Sequence, residues 1–467
     1  MRELQMKILA GIILFAMLAP SAIQASARRR EIVAAPVAIR SHIIASVAQS
    51  GTPASPTVAE PNATTAPQKE VTAYTLPPDL YKKAHDLGVI HFRFNLIGFF
   101  YGLVVLWIIL RFGLSPKYRD WAEKISRNSF VQALVFAPLL IVTMGILGLP
   151  SDIYENSVER QYGLSIQSWG SWFWDWTKGE FLSILLGIFL IWILYAIIRK
   201  SPRRWWFYFW LVSLPIAILL VFAQPVIVDP MFHKFESLQQ KDPALTASLE
   251  QMVQRAGQDI PPDRMFWMGA GEKTTELNAY VTGIGASKRI VVWDNTIAKM
   301  TTPQIVFVAG HEMGHYVLNH VWKGLAFAAL FLFIFFYLVF RTIGWLLARW
   351  GANWGIRGVD DLASLPALLL LLSVFAFIAN PIQSAFSRHD EHQADRYGLE
   401  VTHGLTPNSS QVAAQAFQIL GEVDLADPDP NPLNIFMFYS HPAIPDRVRF
   451  ALTYDPWSKG EEPEFVK

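Results

Sequence analysis

The amino-acid sequence predicts a mostly α, polytopic membrane protein with a small α/β domain inserted between two of its spans. The first reason is composition: 52% of the 467 residues are hydrophobic and only 16% are charged, whereas about 25% of an ordinary soluble domain is charged. The mean hydropathy is also high, at +0.28. Finally, six apolar stretches are long enough to cross a bilayer core, which takes roughly 20 helical residues.

The composition also excludes several classes of function. The 39 basic residues balance 38 acidic ones, for a formal net charge of +1, so no excess of positive charge indicates nucleic-acid binding. The sequence has no Cys, which excludes disulfides, thiolate metal ligands and a Cys nucleophile. The high apolar and aromatic content excludes disorder for most of the chain.

The N-terminal segment is predicted to be a signal peptide or an N-terminal anchor, residues 1–27. Its apolar part is short, and it ends in Ala25-Ser26-Ala27, which is typical of a signal-peptidase site. Retention as an anchor is the alternative, supported by the three arginines at 28–30. Residues 28–75 are rich in Ala, Pro, Ser and Thr and are predicted to be a flexible tether. A helical pattern begins after Leu76-Pro77-Pro78-Asp79-Leu80.

Two groups of membrane spans are expected, separated by a polar insert. The predicted spans are residues 94–112, 130–149, 181–198, 205–228, 324–348 and 362–386. The polar insert, residues 229–323, contains strand-like runs at 265–267, 278–282 and 289–293. We therefore expect this insert to fold outside the lipid.

The charges of the connecting segments predict the orientation of the chain in the membrane. Residues 113–129 and 199–204 are basic, whereas residues 150–178 are acidic and rich in Trp. By the positive-inside rule the two basic connections are cytoplasmic. The insert then lies on the outer side, which is the periplasm if the membrane is a bacterial inner membrane. Arg349 and Arg357 agree with this orientation, and the arginines at 28–30 agree only if the segment before them is cleaved.

One motif in the insert carries specific chemistry. After a helix-start signal at Thr301-Thr302-Pro303, the sequence reads His311-Glu312-Met313-Gly314-His315. Residues four apart lie on one helical face, so His311 and His315 can bind one Zn²⁺, with Glu312 beside them as a general base. The alternative is a pair of histidines that only form hydrogen bonds in a protein core.

A three-ligand zinc site needs a further protein ligand from elsewhere in the chain. The dense cluster of candidates is residues 387–395, directly after the last predicted span. Glu391 and Asp395 are four apart, so Glu391 can reach the metal while Asp395 accepts the N–H of a ligating His. His389 and His392 are rival ligands. A charged helix end at the membrane surface is the alternative without a metal.

Together these residues resemble the type I CAAX prenyl endopeptidases, a family of membrane zinc proteases. The resemblance covers roughly residues 76–455 and rests on the following motifs: Leu76–Leu80, Asp229–Phe235, Asn278-Ala279-Tyr280, the helix of residues 311–315, Arg388 to Asp395, and Ser440-His441-Pro442 with Arg447. It implies a helical barrel around a water-filled chamber. It implies Glu391 as the third ligand and Glu312 as the general base. It also implies that Asn278 and Ala279 belong to an edge strand that holds the substrate backbone. Lastly, it places His441 and either Arg388 or Arg447 in the lining of the site.

The sequence therefore predicts an integral-membrane zinc metalloendopeptidase with one Zn²⁺ per chain and a peptide or protein substrate. The predicted units are the membrane helices of residues 76–228, a metallopeptidase domain of residues 229–455 that includes the last two spans, and a tail of residues 456–467. CAAX-like proteins and membrane or envelope proteins are the candidate substrates, the latter as for heat-shock-type quality-control zinc proteases. A transporter or receptor with a coincidental motif is the non-enzymatic alternative.

Overall fold

The computed structural model describes residues 70–283 and 288–466. The predicted signal peptide or anchor, residues 1–27, lies outside the described residues, and so does the predicted tether as far as residue 69. The last part of the tether, residues 70–75, lies against the peptidase domain, so the prediction of a flexible segment up to residue 75 is wrong there. The reason is specific contacts: the Val71 N–H donates to Gln411 Oε1 at 3.0 Å, and the Tyr74 hydroxyl donates to the Ala426 carbonyl at 2.9 Å.

The first part of the described chain is helical. Its elements are α1 (Pro78–Arg111), α2 (Leu114–Ile125), α3 (Ser129–Tyr162), α4 (Trp169–Lys200), α5 (Trp205–Ala223), a π-helical turn (Gln224–Val228) and α6 (Asp229–Phe232).

A small α/β region follows. Its elements are β1 (Lys234–Ser237), α7 (Leu238–Lys241), α8 (Pro243–Arg255), a 3₁₀ turn (Pro262–Arg264), β2 (Met265–Gly269), β3 (Ala279–Thr282), β4 (Arg289–Trp293), α9 (Asp294–Lys299) and α10 (Thr302–Val317).

The last part of the chain is again helical. Its elements are α11 (His320–Trp350), a 3₁₀ turn (Leu362–Ser364), α12 (Leu365–Thr402), α13 (Ser409–Val423), α14 (Pro432–Phe438) and α15 (Ile444–Thr453).

Six helical segments of the described residues are long and apolar enough to cross a membrane, which confirms the six predicted spans. They are longer than predicted. α1 and α3 have 34 residues each, about 51 Å at 1.5 Å per residue, and so extend well beyond a hydrocarbon core of about 30 Å. The prediction that residues 150–178 form a connecting loop is wrong. Because α3 and α4 extend into this segment, only residues 163–168 separate them. The acidic turn belongs to α3: Asp152 and Glu155 are buried, and Asp152 Oδ2 accepts from Trp176 Nε1 of α4 at 3.2 Å.

The six long helices form a closed ring. α1 packs against α3, α3 against α4, α4 against α5, α5 against α11, α11 against α12, and α12 against α1. This closed order confirms the predicted helical barrel. α12 is the most buried of the six. Its first turns lie in the hydrophobic core between the long helices, and its last turns lie in the core of the peptidase domain.

The basic connections all lie at one end of the barrel. Arg119 of α2 pairs with Asp361, the Ser115 hydroxyl donates to the Ala363 carbonyl at 3.2 Å, and Arg199 Nε donates to the Asp360 carbonyl at 3.2 Å. These bonds join the connections after α1, α4 and α11. The α/β region and α13–α15 therefore belong to the opposite end.

A four-stranded sheet with the order β1-β2-β4-β3 forms the inserted region. β2 and β4 are parallel, and the two outer strands are antiparallel to their neighbours. The three strand-like runs in the sequence are confirmed as β2, β3 and β4, whereas β1 was not predicted. β3 is an edge strand and packs on α10.

Candidate metal centre

Helix α10 begins with the predicted signal and carries the motif. Thr301 and Gln304 form a capping box, in which the Thr301 N–H donates to Gln304 Oε1 at 2.9 Å. A capping box satisfies amides at the helix start that have no partner within the helix. The helix then runs unbroken to Val317, so His311 and His315 are one turn apart and share a face.

Close packing against α12 brings the third candidate ligand to that face. Added Cβ atoms would lie 2.9 Å from Val401 at Gly310, 2.8 Å from Tyr397 at Gly314, and 3.1 Å from the His311 amide at Gly398. Glycines at these contacts therefore allow the two helices to approach closely. α12 continues without a break from the last span through residue 402, which places Glu391 opposite the two histidines.

Three donor atoms converge on one point. His311 Nε2 lies 3.2 Å from His315 Nε2 and 3.2 Å from Glu391 Oε2, and His315 Nε2 lies 3.4 Å from the same oxygen. A tetrahedral zinc ion with bonds of about 2.0–2.1 Å holds its donors about 3.4 Å apart. All three residues are buried, and Glu391 Oε2 accepts no well-aligned hydrogen bond within the described residues. The donor set therefore fits a Zn²⁺ ion.

Asp395 lies directly behind His311. Its Oδ1 lies 2.8 Å from His311 Nδ1, the contact expected of a carboxylate that orients a ligating imidazole. Arg447 donates to both oxygens of Asp395, through Nη2 at 2.6 Å and Nε at 2.9 Å. Arg447 is thus placed behind Asp395 rather than beside the donor atoms, and it also covers the ring of Phe417, 4.3 Å from its centre.

Burial and charge act in opposite directions on the titration of these groups. Burial lowers the pKa of His311, but the adjacent carboxylates of Asp395 and Glu391 outweigh it and raise that pKa to about 9. Burial likewise lowers the pKa of Arg447, and Asp395 more than reverses the effect. The negative potential that favours a proton on His311 also favours a metal cation at the other ring nitrogen.

His320 is a site residue that the sequence analysis missed. Its Nδ1 lies 3.2 Å from His315 Nδ1, and its Nε2 lies 2.9 Å from Gln393 Oε1. If His315 held a metal through Nε2, its Nδ1–H would donate to His320, whose own Nε2–H would donate to Gln393. The signal available in the sequence is a histidine five residues after His315. Asn319, between them, has a positive φ of 56° and redirects the chain there.

His441 lies beside Glu391 and is more exposed than the three candidate ligands. Its Nε2 lies 3.1 Å from Glu391 Oε2, and its side chain is 29% exposed, against 3–7% for the three candidate ligands. It is therefore an accessible polar group beside the donor atoms. The Ser440 hydroxyl lies 3.2 Å from His441 Nδ1 and fixes the orientation of the ring.

The remaining candidates lie outside the donor cluster. The ring of His392 packs on Phe450 with centres 4.3 Å apart, and His389 is exposed. Neither is in the cluster of possible metal ligands found among the described residues. Arg388 donates from Nη1 to the Ile435 and Tyr439 carbonyls at 2.8 and 2.6 Å. It therefore secures α14 and the segment that leads to His441.

The predicted substrate strand is at the sheet edge. Ala279 is the first residue of β3, and Asn278 directly precedes it. The Asn278 carbonyl accepts from the Trp293 N–H at 2.9 Å, and its own N–H donates to Thr296 Oγ1 at 2.7 Å. Both interactions fix the backbone at the start of the edge strand, beside α10.

Two family models match the chain. The model described as CAAX prenyl protease N-terminal, five membrane helices, matches residues 61–234, and the model of peptidase family M48 matches residues 239–455.

Known proteins are similar over most of the chain. An uncharacterized metalloprotease of Bacillus subtilis, YhfN, is 34% identical over 80% of this chain and 87% of its own. CAAX prenyl protease 1 of Saccharomyces cerevisiae is 25% identical over 80% and 86%. The crystal structure of Ste24p from S. mikatae has the same fold, with a TM-score of 0.69 and 24% identity over 81% of this chain and 90% of that one.

Proposed function

We propose that this chain, which belongs to peptidase family M48, is a zinc endopeptidase whose centre is formed by His311, His315 and Glu391. Its family and its six spans make it an integral-membrane metalloprotease. The observation that supports zinc is the set of three buried donor atoms, 3.2–3.4 Å apart. Family membership argues against the transporter or receptor alternative.

Glu312 is the proposed general base. A bound zinc ion would supply a Lewis acid that polarises the scissile carbonyl and makes water more acidic. Glu312 directly follows His311 on α10, so its side chain is turned about 100° from the ligand face and is not part of the donor cluster. It takes a proton from the attacking water and returns it to the leaving amine.

His441 and the edge strand are proposed to bind the substrate. His441 is an accessible polar side chain beside Glu391, so it can donate a hydrogen bond to the oxygen that becomes negative as the peptide bond is attacked. An extended peptide can pair with the outer edge of β3, which pairs only with β4 among the described strands and begins at Ala279, with Asn278 directly before it. Arg388 and Arg447 act as positioning residues, since their guanidinium groups hold the backbone before His441 and the carboxylate of Asp395.

Two substrate classes are supported by different observations. Relatives named CAAX prenyl protease 1 support a C-terminal peptide of the CAAX type. The basic connections at the far end of the barrel support a catalytic region on the outer side of a bacterial inner membrane. That location favours membrane and envelope proteins, as in quality control.

Proteolysis by the purified full-length chain tests this function. The substrates are a prenylated CAAX peptide, its unprenylated counterpart and an unfolded protein. Cleavage of at least one of them should be lost with 1,10-phenanthroline and restored by added zinc. The isomer 1,7-phenanthroline, which does not chelate, is the matched control. Cleavage that is insensitive to chelation would refute the zinc mechanism.

A further inference from the structure

A cavity of about 790 Å³ lies at the end of the barrel opposite the metal centre. It lies where α1 and α11 end. Its lining residues are Trp107, Arg111, Leu346, Trp350, Asn353 and Trp354. The cavity is far from the metal centre. α12 begins at the cavity end of the barrel, and Glu391 lies 26 residues further along this helix.

The cavity is lined in part by exposed side chains. The first turns of α12, from Leu365 to Leu369, are almost fully buried, and none of their side chains lines the cavity. Trp107 is 49% exposed, and Arg111 is exposed as well. Arg111 and Trp350 are the last residues of two spans, a position that corresponds to the boundary between acyl chains and headgroups.

The positive charge beside the cavity is not neutralised by nearby acids. In the described part of the chain, Arg111 makes no ion pair, and Arg349 only stacks on the ring of Trp350, 5.4 Å from its centre. The carbonyl ends of α1 and α11 disfavour an anion. Attraction of an anion therefore depends on the two guanidinium groups.

Two acidic side chains of the neighbouring connections, Glu123 and Asp361, are already paired with other arginines. Glu123 accepts from Arg357 Nη2 at 2.6 Å, and Asp361 pairs with Arg119 and Arg357. These acids belong to the network that joins the connections at this end of the barrel. They therefore leave Arg111 available for an external anion.

We propose that this cavity binds the headgroup of an anionic phospholipid. The phosphate lies against Arg111, whose planar guanidinium matches phosphate oxygens with two parallel hydrogen bonds. Trp107 and Leu346 contact the upper acyl chains, and the indole groups lie at the depth where Trp residues are enriched. Free phosphate carries the same negative charge but cannot make apolar contacts with the Trp and Leu side chains of this lining. Basic pockets between spans are known to select anionic lipids.

Native mass spectrometry of the detergent-solubilised full chain tests the proposal, with phosphatidylglycerol as the probe and phosphatidylcholine of the same chains as its counterpart. We expect one saturable phosphatidylglycerol site. Arg111→Gln should weaken it at least about fivefold, given the usual contribution of one basic residue near a membrane surface. Trp107→Leu should weaken it without altering the charge. The matched control is Arg127→Gln, which removes an exposed charge of the adjoining connection that does not line the cavity, and it should bind as the wild type does.

Three results would overturn the proposal. Phosphatidylcholine binding as tightly as phosphatidylglycerol would show that negative charge is not recognised. Displacement of the lipid by millimolar inorganic phosphate would identify the site as one for free anions. Equal losses of phosphatidylglycerol affinity in Arg111→Gln and Arg127→Gln would show that the lipid responds only to the general surface charge.

Discussion

Replacing Asp395 by Asn separates two roles of this carboxylate. The substitution keeps the shape of the side chain but removes the charge that faces both His311 and Arg447. Asp395 is 1% exposed and Arg447 is 8% exposed, so their bidentate pair is screened little by solvent. Breaking such a pair by altering one partner costs about 3–5 kcal/mol of the free energy of unfolding. Domains are typically stable by about 5–15 kcal/mol, so the variant should fold with a reduced margin.

The metal centre should be affected separately. Loss of an outer partner of a ligating His typically lowers metal affinity or activity about 10–100-fold, so Asp395→Asn should remain a weak but measurable enzyme. The double variant Asp395→Asn/Arg447→Met also removes the buried positive charge. It should regain a large part of the lost stability, because replacing both partners of a buried pair is often neutral. Its zinc affinity should stay low.

The assay combines thermal unfolding, zinc content after dialysis against graded chelator, and chelator-sensitive cleavage. Asp395→Asn with normal stability and normal zinc retention would contradict the geometry. Full recovery of zinc affinity in the double variant would show that Asp395 serves only to neutralise Arg447, and not to orient His311.

Further predictions concern the neighbouring residues and the orientation of the chain. Glu391→Ala should lose its zinc and its activity, whereas His392→Ala should keep both, and zinc analysis of the pair would refute the assignment if the order were reversed. His320→Phe leaves the Nδ1–H of a ligating imidazole buried without its partner, so activity should fall about 10–100-fold; unchanged zinc retention and cleavage would count against that role. Reporter fusions at residue 255 and after residue 460 should both report the outer side, and signals from inside would refute the orientation.

Much of the centre follows from local sequence. His311 and His315 share a face because the α-helical period determines it, and a capped helix start precedes them. Glu391 is different: from the residues alone His389 and His392 remained rivals, and only the family resemblance selected the carboxylate. The deciding contact is tertiary, since the close approach of α10 and α12 at Gly310 and Gly314 sets which face of α12 meets the motif.

Other features could not be read from helical or strand periods. His320 returns to His315 because Asn319 adopts a left-handed conformation, which no periodic pattern indicates. The acidic segment at the end of α3 is typical of a loop in sequence, yet it is helical, and Asp152 accepts a hydrogen bond from Trp176 of the neighbouring α4. β1 is a four-residue strand whose pairing with β2, rather than its own polar sequence, determines its conformation.

The most direct test of the proposed mechanism is the zinc content of Glu312→Gln, measured beside its proteolytic activity. Because Glu312 is assigned as a base and not as a ligand, the variant should retain about one zinc per chain, as the wild type does, and should lose peptide cleavage. A variant that lost its zinc together with its activity would make Glu312 part of the metal site, and one that still cleaved peptides would remove it from the reaction.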